Sequence, residues 1–87
     1  MASKKQIIDA WEEANQIRGR NSDTWRRDPY GNLIRKASYG THGQYGWELD
    51  HNQPKSKGGK NTDLNIQPIH CKENLKKSDK YPYKKKR

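Results

Sequence analysis

The chain has 87 residues, a net charge of +9 and few apolar residues, 28% of the total, with no Phe. A chain of this length forms at most one domain with a thin core, and no stretch of it approaches the roughly 20 apolar residues of a membrane-spanning helix. Cys71 is the single cysteine, which excludes an internal disulfide and a four-cysteine zinc site. The positive charge favours a polyanionic partner, and the polar N-terminus predicts a cytoplasmic protein without a secretory signal.

The N-terminal segment is predicted to form a helix. Ser3 is a suitable N-cap, and apolar residues recur after it at helical spacing. This pattern predicts a helix over residues 4–18, with Gly19 near its end. Residues 20–24 are polar and are predicted to form a loop.

A β-hairpin is predicted next, over residues 25–35. Asp28-Pro29-Tyr30-Gly31 is a strong turn sequence, with Pro and Gly at favoured positions. Residues 37–46 contain three Gly and are predicted to form an irregular connection.

The second half predicts a strand, a loop, a second strand and a helix. Alternation from Trp47 to Asp50 predicts a strand with one buried face. The polar residues 52–63 predict a loop, in which Gly58-Gly59 is interpreted as a tight turn in preference to a phosphate-binding loop. Residues 65–69 are predicted to form the second strand and residues 70–78 the helix.

The predicted fold is therefore a small single α+β domain in which tryptophans carry much of the burial. We expect a bound ion, a partner or nucleic acid to help hold so thin a core together. We divide the chain into an N-terminal helix and loop at residues 1–24, a core at residues 25–79 and a basic tail at residues 80–87.

Three residues of the second half suit the hydrolysis of a phosphodiester. A histidine accepts a proton near neutral pH, which makes His51 a candidate general base. Asp50 and Asn74 offer oxygen ligands to a hard divalent cation such as Mg²⁺ or Mn²⁺, which needs few protein ligands. Because adjacent strand residues point to opposite sides, Asp50 and His51 require either a bend in the strand or a metal placed between strand and helix.

These residues stand in a pattern that resembles the HNH endonuclease motif, also called the ββα-metal finger. The resemblance covers roughly residues 25–80 and extends upstream to features of small stand-alone members. The segments that carry it are Trp25–Gly31, Tyr39-Gly40, Trp47–His51, Pro54–Gly59, Asn65–Pro68 and Asn74–Lys77.

The resemblance implies a role for each matching residue. His51 would be the general base that activates water, and Asp50 and Asn74 would be the metal ligands. Asn65 would be the middle Asn of the motif, counted with the catalytic residues because it holds the loop and orients His51. The lysines beside the site are expected to contact nucleic-acid phosphates; they are Lys55, Lys57, Lys60, Lys76 and Lys77.

The resemblance also implies an activity and its partners. We expect a bacterial or phage-encoded endonuclease that uses one Mg²⁺ or Mn²⁺ ion and nicks double-stranded DNA as a monomer. Its products would carry a 5′ phosphate and a 3′ hydroxyl. A structural zinc is not expected, because the paired cysteines that hold it in many relatives are missing.

Two other interpretations stay open at this point. The chain could be a non-catalytic basic module that binds nucleic acid with the same fold, which the charge supports equally well. It could also be a small zinc protein that uses His51, His70 and Cys71, although the shortage of thiols disfavours this reading.

Overall fold

The computed structural model describes residues 2–83 of the chain, so the last part of the basic tail, residues 84–87, lies outside the described residues. The described part is an α+β domain, as predicted, with two helices and five strands. The elements in chain order are α1 Lys4–Glu13, β1 Asn15–Gln16, β2 Trp25–Arg27, β3 Leu33–Arg35, β4 Trp47–His51, β5 Ile66–His70 and α2 Cys71–Lys77. The strands form two antiparallel sheets, one in the order β1-β2-β3 and one made of β4 and β5.

Helix α1 begins where the sequence predicts. The Ser3 hydroxyl accepts a hydrogen bond from the Gln6 backbone N–H at 3.1 Å, and the Gln6 side chain accepts one from the Ser3 backbone N–H at 3.1 Å. This reciprocal pair is a capping box, which satisfies two donors that a helix start leaves free.

The predicted length of this helix, residues 4–18, was wrong. The helix ends at Glu13, and Asn15–Gln16 instead pairs with β2. The cause lies in the next element, because the buried Arg26 guanidinium donates to carbonyls at the end of α1. These are the carbonyls of Trp11 at 3.1 Å, Glu12 at 3.2 Å and Ala14 at 3.4 Å. A helix end otherwise leaves such carbonyls without partners.

The predicted hairpin is observed, with β2 pairing β3 through Arg26 and Ile34. Asp28, fully buried, organises its turn by accepting from the backbone N–H groups of Tyr30 at 3.0 Å and Asn32 at 2.8 Å. The same carboxylate accepts from the His70 backbone N–H at 2.9 Å. The hairpin turn is thereby joined to the junction between β5 and α2.

The core lies between α1, β3 and β4. The rings of Trp11 and Trp47 pack 5.4 Å apart, and Tyr39 packs edge-on against Trp47 at 5.0 Å. Ile34 is fully buried beside them. Trp25 is only half-buried and packs edge-on against Tyr45 outside this cluster. The N-terminal helix thus shares one core with the second half of the chain.

The second half folds as predicted, with no boundary of β4, β5 or α2 shifted by more than one residue. In the β4–β5 register Asp50 faces Gln67 and His51 faces Ile66, and α2 packs back against both strands. The loop between the strands closes tightly at Gly59, where a Cβ would lie 1.7 Å from the Gln53 carbonyl oxygen. No helix among residues 2–83 combines the length and the apolar character needed to cross a membrane.

Candidate functional site

The Asp50 carboxylate lies on the face of β4 that meets α2. Its Oδ2 atom accepts from Gln67 Nε2 at 3.0 Å and lies 3.1 Å from Lys77 Nζ. Its Oδ1 atom has a weaker contact, with Lys77 Nζ at 3.4 Å. The residue is 9% exposed, so its carboxylate is nearly buried. The Oδ1 atom makes only the longer contact, with Lys77.

Lys77 is placed differently from the expectation that it contacts phosphate. Its side chain is fully buried, and its Nζ donates to the His51 backbone oxygen at 3.1 Å as well as to Asp50. The reason is helical spacing, because Lys77 follows Asn74 by three residues and so shares the face of α2 that packs on β4. Lys77 is therefore a buried counter-charge in this structure.

Asn74 reaches β4 from the same face of α2. Its Nδ2 donates to Glu48 Oε2 at 2.7 Å. A carboxylate only accepts hydrogen bonds, so the Asn74 Oδ1 atom is the one turned away from Glu48. Within residues 2–83 this oxygen accepts no hydrogen bond, and Asn74 is half-buried. It is thus available as an oxygen ligand.

His51 points to the other side of β4, as strand alternation requires. It lines a groove of 440 Å³ together with Tyr39, Lys55 and Asn61. Its Nε2 lies 3.2 Å from Asn61 Oδ1. Glu48 also lines this groove while it holds Asn74. Glu48 therefore contacts α2 through Asn74 and also borders the groove that contains His51.

Asn65 holds the loop that leaves β4. Its Oδ1 accepts from the Gln53 backbone N–H at 2.8 Å, and its Nδ2 donates to the carbonyls of Gln53 at 3.0 Å and Lys60 at 2.8 Å. Its own carbonyl accepts from the Asn52 backbone N–H at 2.8 Å. These bonds fit a structural role in shaping the loop beside His51.

The remaining lysines expected to contact phosphate are exposed: Lys55, Lys57, Lys60 and Lys76. Lys55 also lines the groove that contains His51. Lys55 and Lys57 belong to a 3₁₀ turn, whereas Lys76 lies on the outer side of α2.

His70 and Cys71 serve the fold at the start of α2. His70 Nδ1 accepts from the Lys72 backbone N–H at 3.1 Å, so the ring proton lies on Nε2, which faces the Gln44 carbonyl at 2.6 Å. Both ring nitrogens thus have partners within the protein. A zinc site at His51, His70 and Cys71 would require His70 to lose the hydrogen bond that caps α2. It would also require His51 to leave the groove that it lines.

Sequence reasoning missed three residues of the site. Glu48 carries a signal in the sequence, since it stands two positions before Asp50 and shares its strand face. Gln67 requires the strand register, which pairs it with Asp50. Asn61 lies in an irregular loop, and no pattern in the sequence places it beside His51.

Residues 38–80, which include β4, β5 and α2, match the family model of the HNH endonuclease. This segment therefore belongs to the HNH endonuclease family, a family of nucleases. Comparisons with curated proteins and with solved structures gave no match. Helix α1 and the first sheet lie before the matched segment.

The donor set at Asp50 and Asn74 fits a hard divalent cation. A carboxylate oxygen and an amide oxygen are ligands that suit Mg²⁺ and Mn²⁺, and Mg²⁺ keeps most of its remaining shell as water and substrate phosphate. Among residues 2–83 there is no group of three or more His, Cys, Asp or Glu side chains arranged to hold a metal. A site with two protein ligands, whose remaining coordination positions are taken by water and substrate phosphate, is consistent with that finding.

Proposed function

We propose that this protein is a metal-dependent DNA endonuclease that hydrolyses one phosphodiester at a time. The observation that carries the proposal is the placement of three groups around one strand. His51 and Lys55 line one groove, the Asp50 carboxylate bonds to Lys77 of α2, and the Asn74 amide of α2 bonds to Glu48 of β4. Membership of the HNH endonuclease family supports the nuclease reading.

His51 acts as the general base in this proposal. Its imidazole takes a proton from a water molecule in the groove, and that water attacks the phosphorus. Lys55 lines the same groove, and its positive charge attracts the substrate phosphate into the site. Asp50 and Asn74 would hold the divalent ion, which would withdraw charge from the phosphate and from the leaving 3′ oxygen.

Cleavage leaves a 5′ phosphate and a 3′ hydroxyl. A single set of these residues acts on a single strand, so a monomer converts supercoiled DNA to the relaxed form before any linear product accumulates. Double-stranded DNA is the proposed substrate, and exposed lysines on the 3₁₀ turn and on α2 are its proposed phosphate contacts.

Supercoiled plasmid incubated with Mg²⁺ or Mn²⁺ tests the proposal. The wild-type protein relaxes the plasmid, and His51→Ala slows this conversion about a hundredfold or more, in line with the loss of a general base. His42→Ala is the matched control, since His42 is an exposed histidine in the connection before β4. It retains the wild-type rate.

Equal conversion by the wild type and His51→Ala would overturn the assignment. Salt-sensitive DNA binding without any metal-stimulated cleavage would favour the alternative, a non-catalytic nucleic-acid-binding module with the same fold.

A further inference from the structure

The His51 imidazole is connected through two side-chain amides to the capping box of α1. His51 Nε2 lies 3.2 Å from Asn61 Oδ1, and Gln6 Nε2 donates to the same Asn61 atom at 3.3 Å. Gln6 also belongs to the capping box through its Oε1 atom, which accepts from the Ser3 backbone N–H at 3.1 Å. This row of contacts joins the start of α1 to the groove.

The orientation of each amide follows from the fixed donor at one end. A backbone N–H only donates, so the Gln6 atom beside Ser3 is oxygen and the atom beside Asn61 is the NH₂ group. An NH₂ group only donates, so the Asn61 atom that it meets is the carbonyl oxygen. That oxygen accepts, and His51 must therefore carry its ring proton on Nε2.

From this geometry we infer that Asn61 and Gln6 are positioning residues that fix the tautomer of His51. With the proton on Nε2, Nδ1 is the ring nitrogen that holds a free electron pair. The inference rests on the proposed function for its consequence, which is that Nδ1 is the atom that takes the proton from water. Both positioning residues act through His51 and touch no reacting atom.

Helix α1, which precedes the segment matched to the HNH model, thereby has a role in orienting the proposed base. The partner of a histidine ring nitrogen decides which nitrogen is protonated, and a base with the wrong tautomer has no electron pair to offer at the reacting side. Gln6 of the capping box, 45 positions before His51 in the sequence, thus sets which ring nitrogen of the proposed base is protonated.

Gln6→Glu separates this positioning role from a structural one. Glu at this position keeps the capping box, since its carboxylate still accepts from the Ser3 N–H. It cannot donate to Asn61, so the Asn61 amide turns and presents its NH₂ group to both neighbours. His51 Nε2 then has to accept, which moves the ring proton to Nδ1.

The test is ¹⁵N NMR of the His51 ring in metal-free protein without DNA, at a pH where the imidazole is neutral. We expect the Nε2–H tautomer in the wild type, a shift towards Nδ1–H in Gln6→Glu and a mixture in Asn61→Ala. Gln16→Glu is the matched control, because it adds the same charge at an exposed residue of β1, and it leaves the tautomer unchanged.

Thermal unfolding and plasmid relaxation complete the experiment. Gln6→Glu is expected to unfold at the wild-type temperature but to lower kcat about tenfold with little change in KM, because only a minor tautomer then offers Nδ1. An Nδ1–H tautomer in the wild type, or the same tautomer in the wild type and Gln6→Glu, overturns the inference. The NMR result does not depend on cleavage, so it separates a failure of this inference from a failure of the proposed function.

Discussion

Asp50 is a buried carboxylate whose partners are a lysine and an amide, and this shapes what a divalent ion would meet there. The Lys77 ammonium lies 3.1 Å from Oδ2 and is fully buried. A carboxylate has room for about four acceptor contacts, so Asp50 can serve Gln67, Lys77 and a metal ion at the same time. Lys77 and a bound cation would nevertheless share one negative charge.

Lys77→Met is expected to destabilise the metal-free protein by about 3–5 kcal/mol, because removal of one partner leaves a buried charge without compensation. Mn²⁺ is then expected to raise the unfolding temperature of Lys77→Met more than that of the wild type, since the ion restores a positive charge at Asp50. Thermal unfolding with EDTA and with Mn²⁺ measures both effects.

Lys76→Met is the matched control for this variant, because Lys76 is the exposed neighbour of Lys77 on α2. It should change the stability by no more than about 0.5 kcal/mol. A Lys77→Met protein as stable as this control would show that the ion pair contributes little.

At the scale of secondary structure, the end of α1 is decided by Arg26. Its guanidinium donates hydrogen bonds to the carbonyls of three residues at the helix end and to the Ser22 carbonyl at 2.8 Å. The charged head is 3% exposed, so it cannot exchange these acceptors for water without opening the structure. Helix α1, β1 and β2 are therefore joined through one side chain.

Arg26→Met should cost about 3 kcal/mol of unfolding free energy, because several buried carbonyls lose their donor at once. Urea unfolding followed by tryptophan fluorescence is a suitable measurement, since Trp11 lies beside this side chain. Arg27→Met removes an exposed arginine of the same strand and should cost about 0.5 kcal/mol. Similar losses for the two variants would contradict this role.

The elements that the sequence predicted well are those with local signals. The Asp28-Pro29-Tyr30-Gly31 turn, the Trp47–Asp50 alternation and the Ser3 cap all depend on neighbouring residues, and each element appears in place. Helix α1 was predicted too long because apolar spacing continues to Ile17. The stop comes from Arg26, which is distant in sequence and gives no local warning.

The residues of the site also differ in whether a local sequence pattern predicts them. Asp50, His51, Asn65 and Asn74 were predicted from the spacing of a known motif. The loop bonds of Asn65 fit its assigned role, whereas the roles of Asp50, His51 and Asn74 stay predictions. Lys77 looked like a surface lysine, since charge alone does not report which helix face packs inward. The contact between Asn61 and His51 depends on how an irregular loop folds back, which the sequence pattern does not encode.

At the scale of the whole molecule, the positive charge is concentrated in the second half. Residues 46–87 carry a net +6, against +3 in residues 1–45. Burial of Lys77 removes one lysine from the surface proposed to meet DNA. The exposed lysines expected to contact phosphate are Lys55, Lys57, Lys60 and Lys76.

Replacement of these four lysines by Gln should weaken DNA binding and flatten its salt dependence. The slope of log K against log salt concentration should fall in magnitude by about 3–4, since each phosphate contact contributes about 0.9. Fluorescence anisotropy over a salt series measures this slope. Lys4→Gln with Lys36→Gln is the control pair, at exposed positions outside the second half, and an equal loss per residue in that pair would mean that the contacts are diffuse.

Asp50 and Asn74 are proposed to bind one divalent cation beside the His51 groove. Anomalous diffraction from a crystal soaked in Mn²⁺ tests it most directly. We expect one manganese peak within roughly 2.0–2.3 Å of Asp50 Oδ1 and of Asn74 Oδ1. A manganese ion held by other residues, or no ion between these two oxygens at saturating Mn²⁺, would contradict it.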